Sequence, residues 1–153
     1  ELPAARIALL PLVQRVLQEN FSGQNVIVDV PESVAVRGHE PTLSQIFVNL
    51  VSNAVKFQKP GVPPEVRIKA VRQITGSIKI SVTDNGIGIQ PDHVGKLFKV
   101  FERLHGVEEY PGTGIGLAIV KRGSERMGGS CGVESKPGEG SNFWVELPEA
   151  RQQ

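Results

Sequence analysis

Sulfur and the larger aromatic rings are scarce in this chain, which has one cysteine, one methionine, one tryptophan and one tyrosine in 153 residues. The lone Cys131 excludes an intrachain disulfide framework and fits a reducing compartment. No apolar run approaches the roughly 18–20 residues that span a bilayer, and no basic-then-apolar leader precedes the first element, so neither membrane contact nor secretion is expected. An excess of charge of one sign is also missing. The 17 Lys and Arg stand against 16 Asp and Glu, and a net charge of +1 gives no argument for nucleic acid. There is no internal repeat or low-complexity segment. These absences leave one soluble domain over residues 1–153, with its core at about 5–148 and a cytoplasmic location expected. The chain begins at Glu1 rather than Met, which points to a domain cut from a longer parent.

Glycine is abundant and unevenly spread. Of the 17, all but Gly23, Gly38, Gly61 and Gly76 fall between Gly86 and Gly140. Two clusters stand out: Asp84-Asn85-Gly86-Ile87-Gly88-Ile89 and Gly112-Thr113-Gly114-Ile115-Gly116-Leu117. Between them lie an amphipathic piece with Leu97, Phe98, Phe101 and Leu104, then a polar loop over 102–111. Glycines grouped this way let backbone N–H groups approach a ligand, most often a phosphate, that side chains would block. The pattern predicts a nucleotide site with a movable cover between two glycine walls.

The remainder reads as scaffold. Residues 5–10 form a short apolar run, a strand, and Pro11 opens a helix over 12–19. Residues 26–30 read as a strand ended by Pro31, and 34–36 as another. The clearest helix is 43–57, where Leu43, Ile46, Phe47, Leu50, Val51, Ala54 and Val55 make a continuous apolar stripe. Pro41 fits its first position, Thr42 with Gln45 resembles a capping box, and Lys59-Pro60-Gly61 stops it. Val66, Ile68 and Ala70, then Ile78, Ile80 and Val82, alternate with polar residues about a turn at Gly76, which predicts a hairpin with one buried face. Short and longer helices follow over 91–100 and 115–127, the second stopped by Gly128-Gly129. Strands over 130–135 and 141–147 flank a turn at 136–140. The expected fold is α+β: a two-layer sandwich of one mostly antiparallel sheet with helices on one face.

Several side chains have a pattern suited to chemistry. Gln45, Asn49, Asn53 and Lys56 form a second, polar stripe on the 43–57 helix. A merely solvated face would favour Glu, Lys and Arg, because Asn is a poor helix former. An amide oxygen there, with nucleotide phosphates and waters, could complete the shell of Mg²⁺, and Lys56 could reach a phosphate. Asp84 ends a strand where an acceptor could meet the exocyclic amine of adenine. Arg103 and His105 could meet a γ-phosphate, although a solvated role suits His105 slightly better. Gly112, Gly114 and Gly116 precede a helix N-terminus, a natural anion site. Common phosphate motifs do not fit: Gly95-Lys96 is followed by Leu97, and neither glycine triplet reading supplies the last glycine of the dinucleotide pattern.

Taken together, four segments resemble the bacterial sensor histidine kinases. Residues 43–57 resemble the family's N box, 84–88 its G1 box, 96–103 its F box and 112–117 its G2 box, while 138–143 is similar to its last glycine turn. The local wording from Phe101 to Gly112 resembles phytochrome-like and PAS-linked members. The resemblance implies the catalytic, ATP-binding domain, in the fold shared with gyrase-type and mismatch-repair ATPases. It implies that Asp84 holds the adenine amine, with Gly86, Gly88, Ile89, Phe57 and Phe98 around the base. Asn53 would ligate Mg²⁺, with Asn49 and Lys56 on the phosphate side and Arg103 beside them as candidate catalytic groups. Gly112, Thr113, Gly114, Ile115, Gly116 and Leu117 would hold phosphates under the lid. Gyrase-type hydrolases carry a Glu general base one turn before the Mg²⁺-ligating Asn. Here that position is Asn49, an amide, which favours phosphoryl transfer to a histidine over hydrolysis. The acceptor histidine belongs to a helical dimerisation domain, and His39, His93 and His105 lack its surroundings. The expected partners are that helical domain and a response regulator receiver domain. The isolated chain is expected as a monomer and its parent as a homodimer.

Overall fold

The computed structural model describes residues 3–89 and 114–150, with side chains of 114–116 not described. The expected helix over 91–100, the polar loop, and Phe98, Arg103, Gly112 and Thr113 lie outside the described residues. The elements in order are β1 (Ala5–Ala8), α1 (Leu9–Asn20), β2 (Val26–Asp29), β3 (Ala35–Gly38), α2 (Glu40–Lys56), β4 (Val66–Arg72), β5 (Ser77–Asp84), α3 (Gly114–Arg126), β6 (Ser130–Lys136) and β7 (Gly140–Pro148).

Among the described residues five strands form the main sheet in the order β2-β4-β5-β7-β6. Only β2 and β4 run parallel, and α2 lies within the long connection that a parallel pair requires. The predicted hairpin is present, with Ile68 opposite Val82 and Ala70 opposite Ile80, and all four are buried. Gly76 takes a φ of +91° in its turn, a conformation only glycine adopts without strain. Helices α2 and α3 pack against the sheet and each other, and α1 lies along α2. The core between these layers is Leu43, Ile46, Phe47, Leu50 and Val51 of α2 against Ile68, Ile78, Ile80, Val82, Val145 and Leu147 of the sheet. Leu9, Leu12, Val13 and Val16 extend it under α1. Truncating one of these, Phe47 to Ala for example, would cost about 3–5 kcal/mol. Among the described residues no helix is long and apolar enough to cross a membrane.

Several expectations need correction. The first strand stops at Ala8 and α1 begins at Leu9, so Pro11 sits within the first turn rather than opening it. Helix α2 starts at Glu40, which makes Pro41 its second residue. The predicted capping box does not form: His39 is the N-cap, and the Thr42 hydroxyl bonds to the His39 ring Nδ1 at 2.7 Å instead. The helix also ends earlier than Lys59, at Lys56. A separate two-stranded ribbon, β1 against β3, was not expected. The end of α3 matches expectation. Gly128, at φ +85°, donates to Glu125 O at 3.0 Å and Gly129 to Ser124 O at 2.8 Å, the paired bonds of a glycine C-cap.

Candidate nucleotide site

The buried alternation of β5 ends on Asp84, whose side chain therefore points inward, where it is 9% exposed. Its Oδ1 accepts from the Gly86 N–H at 2.8 Å, and the Ser141 N–H also bonds to it. Burial is the larger influence and pushes the carboxyl up from 3.8 to about 6, against the lowering by those two N–H groups. The carboxyl is thus an acceptor set in a dry wall, with two donors holding it in place.

The turn after Asp84 is locked on both sides. The Ile87 N–H donates to Phe57 O at 3.1 Å, which joins the turn to the end of α2. A Cβ on Gly86 would lie 2.0 Å from that same Phe57 oxygen, so no other residue allows the approach. Gly88 has φ +75°, and a Cβ there would stand 2.0 Å from Lys136 O. On the other side Gly138 N–H bonds to Ile87 O, and the Ile89 N–H donates to Ser135 Oγ at 2.9 Å. Ser135 Oγ also lies 2.9 Å from Gly140 O and 2.8 Å from Ser141 Oγ. Asn85 fastens the preceding loop, accepting from Glu65 N–H at 2.9 Å and donating to Pro63 O at 3.0 Å. Sequence reasoning missed Ser135 and Asn85 as supports. The Asn85-Gly86 pair is itself a turn signal that could have pointed to Asn85, whereas nothing in the sequence near Ser135 marks it.

The polar stripe of α2 divides. Gln45 and Lys56 are exposed, Asn49 is half-buried, and Gln45 Nε2 donates to Asn49 Oδ1 at 3.0 Å. Asn53 is only 5% exposed, within the core-facing side of the helix rather than well away from it. Its Nδ2 is buried with no hydrogen-bond partner among the described residues. Leaving such a group unpaired costs about 1–3 kcal/mol, which a ligand meeting it would remove. An amide exchanges its two ends by a half-turn, so this side chain offers either an N–H donor or an oxygen. The described residues contain no group of three or more His, Cys, Asp and Glu able to hold a metal. A single amide oxygen therefore fits Mg²⁺ only as one ligand beside phosphate oxygens and waters, the usual arrangement for this ion.

The structure thus brings Phe57, Gly86, Gly88 and Asp84 into one corner with the end of α2, which also carries Asn53 and Lys56. Ile89 is 7% exposed and Leu117 is fully buried, a core residue at the start of α3. Helix α3 begins at Gly114, one residue earlier than expected, so Gly114 and Gly116 lie within its first turn rather than ahead of it. A cavity of about 720 Å³ lies behind the corner, lined by Thr83, Asp84, Glu134, Ser135, Ser141 and Asn142 among others. None of Asn49, Asn53, Lys56 and Phe57 lines it, so it is separate from the α2 side of the corner.

Residues 38–151 match the family described as histidine kinase-, DNA gyrase B-, and HSP90-like ATPase. The phytochrome-like protein Cph1 of Synechocystis is 38% identical over 132 residues, covering 86% of this chain and 17% of that protein. The sensor protein GacS of Pseudomonas syringae is 39% identical over 155 residues, covering 98% of the chain and 16% of the relative. The chain therefore spans less than a fifth of the length of these relatives. Full-length ShkA, whose crystal structure is a complex with AMPPNP, superposes with a TM-score of 0.82 at 32% identity, over 99% of this chain and 32% of that one.

Proposed function

We propose a function from one premise: the chain belongs to the histidine kinase-, DNA gyrase B- and HSP90-like ATPase family, and sensor histidine kinases are among its relatives. The chain binds ATP with Mg²⁺ at the corner between the end of α2 and the turn after β5. Within a longer parent it passes the γ-phosphoryl to a histidine on a separate helical domain, for relay to a response regulator receiver domain. The observation that supports this best is a buried carboxyl and a buried, unpartnered amide on two elements fastened together. Asp84 is fixed by two N–H donors, Asn53 Nδ2 has no hydrogen-bond partner among the described residues, and the Ile87–Phe57 bond joins their elements.

In this reading the Asp84 carboxylate accepts from the adenine amine, while Phe57, Ile89 and Phe98 flank the ring. The backbone N–H groups of 112–117 cradle the phosphates at the start of α3, where the helix dipole favours negative charge. Lys56 and Arg103 add positive charge on the phosphate side. A bound Mg²⁺, held by Asn53, would neutralise charge on the phosphate oxygens. Transfer of this group depends mainly on positioning and charge neutralisation, so the chain needs no general base of its own when an imidazole attacks. Asn49 suits that role: its oxygen already accepts from Gln45 and an amide takes no proton from water. The domain is placed in the cytoplasm with its nucleotide supply.

The test is to mix this chain with the helical domain of its parent and γ-labelled ATP. Acid-labile phosphohistidine on the helical domain is expected. Nucleotide binding without label would replace the reading with a nucleotide-sensing module that signals by ordering its lid. Release of free phosphate at the rate of binding turnover would favour a gyrase-like hydrolase.

A further inference from the structure

The β1–β3 ribbon places two arginines face to face. Arg6 lies directly opposite Arg37, and both are exposed while the next pair, Ile7 and Val36, is buried. The bonding pattern of the ribbon fixes how close they are. The Leu9 N–H donates to Val34 O at 3.1 Å, so the 9/34 pair belongs to the hydrogen-bonded class. Classes alternate along an antiparallel pair, which makes 7/36 hydrogen-bonded and 6/37 not. Residues of the second class sit about 4.5 Å apart at Cα with their side chains closest, and like charges there repel. Of the ion pairs among the described residues, none involves Arg6 or Arg37.

The same alternation turns the backbone N–H and C=O of Arg6 away from β3, toward the other edge of β1. The far edge of β3 is covered, since Ala150 N–H donates to Ala35 O at 2.9 Å and Val36 bridges Glu149. The edge of β1 has no strand beside it among the described residues, and residues 3–6 are exposed. A bare edge and an un-neutralised pair of guanidiniums therefore meet at one residue. Natural edges are commonly guarded by a single charge, whereas two cations held against each other call for an anion.

We propose that the β1 edge is a docking strand for an extended acidic peptide segment. The segment's main chain pairs with Arg6 through the outward N–H and C=O, as in strand addition. A Glu or Asp on its exposed face lies between the two guanidiniums and relieves their repulsion. Arginine suits this task because its planar fork meets a carboxylate with two parallel N–H bonds. The site lies on the ribbon, outside the nucleotide corner, so it can be occupied with or without ATP.

Fluorescence anisotropy tests this with a labelled peptide alternating Glu with Val, and a counterpart with Gln at every Glu position. The Glu peptide should bind the intact chain about fivefold or more tighter than the Gln peptide, and added salt should erase the difference. In amide NMR spectra its binding should shift residues 4–8. Arg37→Glu should abolish the preference for the Glu peptide. It should also hold or raise the melting temperature, since it turns the repelling pair into an attracting one, which separates lost docking from lost folding. Equal binding of the two peptides, a preference that survives Arg37→Glu, or shifts confined to residues 84–89 would each overturn the proposal. So would tighter binding of inorganic triphosphate than of the Glu peptide at Arg6.

Discussion

At the N-terminal end of α2, His39 and Thr42 bond to each other at 2.7 Å, the His39 N–H donates to Met127 Sδ at 3.3 Å, and Glu40 meets Arg15 at 2.8 Å. At the C-terminal end of the same helix, Asn53 is as buried as the core around it, yet its Nδ2 has no hydrogen-bond partner among the described residues. Seventeen residues of one helix thus end in two opposite conditions. The first end is built for stability, with His39, Glu40 and Thr42 each bonded to a neighbour. The second carries an unpaired group beside a glycine turn that admits no Cβ, which stability alone would have removed. We propose that the difference marks where a ligand binds. It also separates two side chains of α2: removing the Thr42 hydroxyl should alter stability and leave nucleotide binding alone, and removing the Asn53 amide should do the reverse.

The largest expected effect breaks the ligand end outright. Asp84→Ala should weaken adenine nucleotide binding about 100-fold or more in calorimetric titration, because a buried acceptor for the base is lost. Next comes the wall itself. Gly86→Ala must push apart the turn and the end of α2, given the 2.0 Å approach to Phe57 O, and should cost about 2–4 kcal/mol in urea denaturation as well as weakening binding.

Asp84→Asn sharpens the contrast, since it should move stability and binding in opposite directions. Folding raises the carboxyl from 3.8 to about 6, so the native state binds the proton more tightly than the unfolded chain. This group's contribution is fully present below 3.8, is lost as pH rises toward 6, and stays lost above it. The ionised form therefore costs the free domain up to about 3 kcal/mol at pH 8, and Asn, which still accepts from Gly86, should recover part of that. Thermal melts at pH 5 and pH 8 check this: the gain should be larger at pH 8. An equal change at both values would remove the ionised carboxyl from the account.

The smaller effects compare the ends directly. Asn53→Ala should leave the free domain within about 1 kcal/mol of wild type, because its amide nitrogen has no bond to lose among the described residues, yet should remove the Mg²⁺ dependence of ATP binding. Thr42→Val should cost about 1 kcal/mol and leave both affinities unchanged. Smallest of all, Gln45→Ala breaks one exposed bond to Asn49 and should change stability by no more than about 0.5 kcal/mol.

The α2 stripe and the β4–β5 hairpin were legible in the sequence because a period names a buried face without knowledge of what covers it. Leu43, Ile46, Phe47, Leu50, Val51 and Ala54 are all buried, and so are the six alternating residues of the hairpin. Asn53 was assigned to the polar face, yet it stands three residues after Leu50 and one before Ala54, at the edge of the stripe. An edge position is buried or exposed according to what tertiary packing sets beside it, and no local pattern carries that. Ser135 failed for the same reason, since its hydroxyl matters through Ile89, 46 residues away. The start of α2 was misread because a Thr-x-x-Gln spacing looks the same whether the threonine caps a helix or lies inside its first turn. The β1–β3 ribbon joins two four-residue strands by a long-range pairing that neither segment announces.

The central claim is that Asp84 reads an adenine base, and parallel titrations of ATP and GTP with Mg²⁺ test it most directly. Adenine offers an amine donor where guanine offers a carbonyl acceptor. A carboxylate facing that position should favour ATP by about 100-fold or more, and Asp84→Asn, which can donate, should narrow the gap. Equal affinities in the wild type, or a gap unchanged by Asp84→Asn, would contradict the claim.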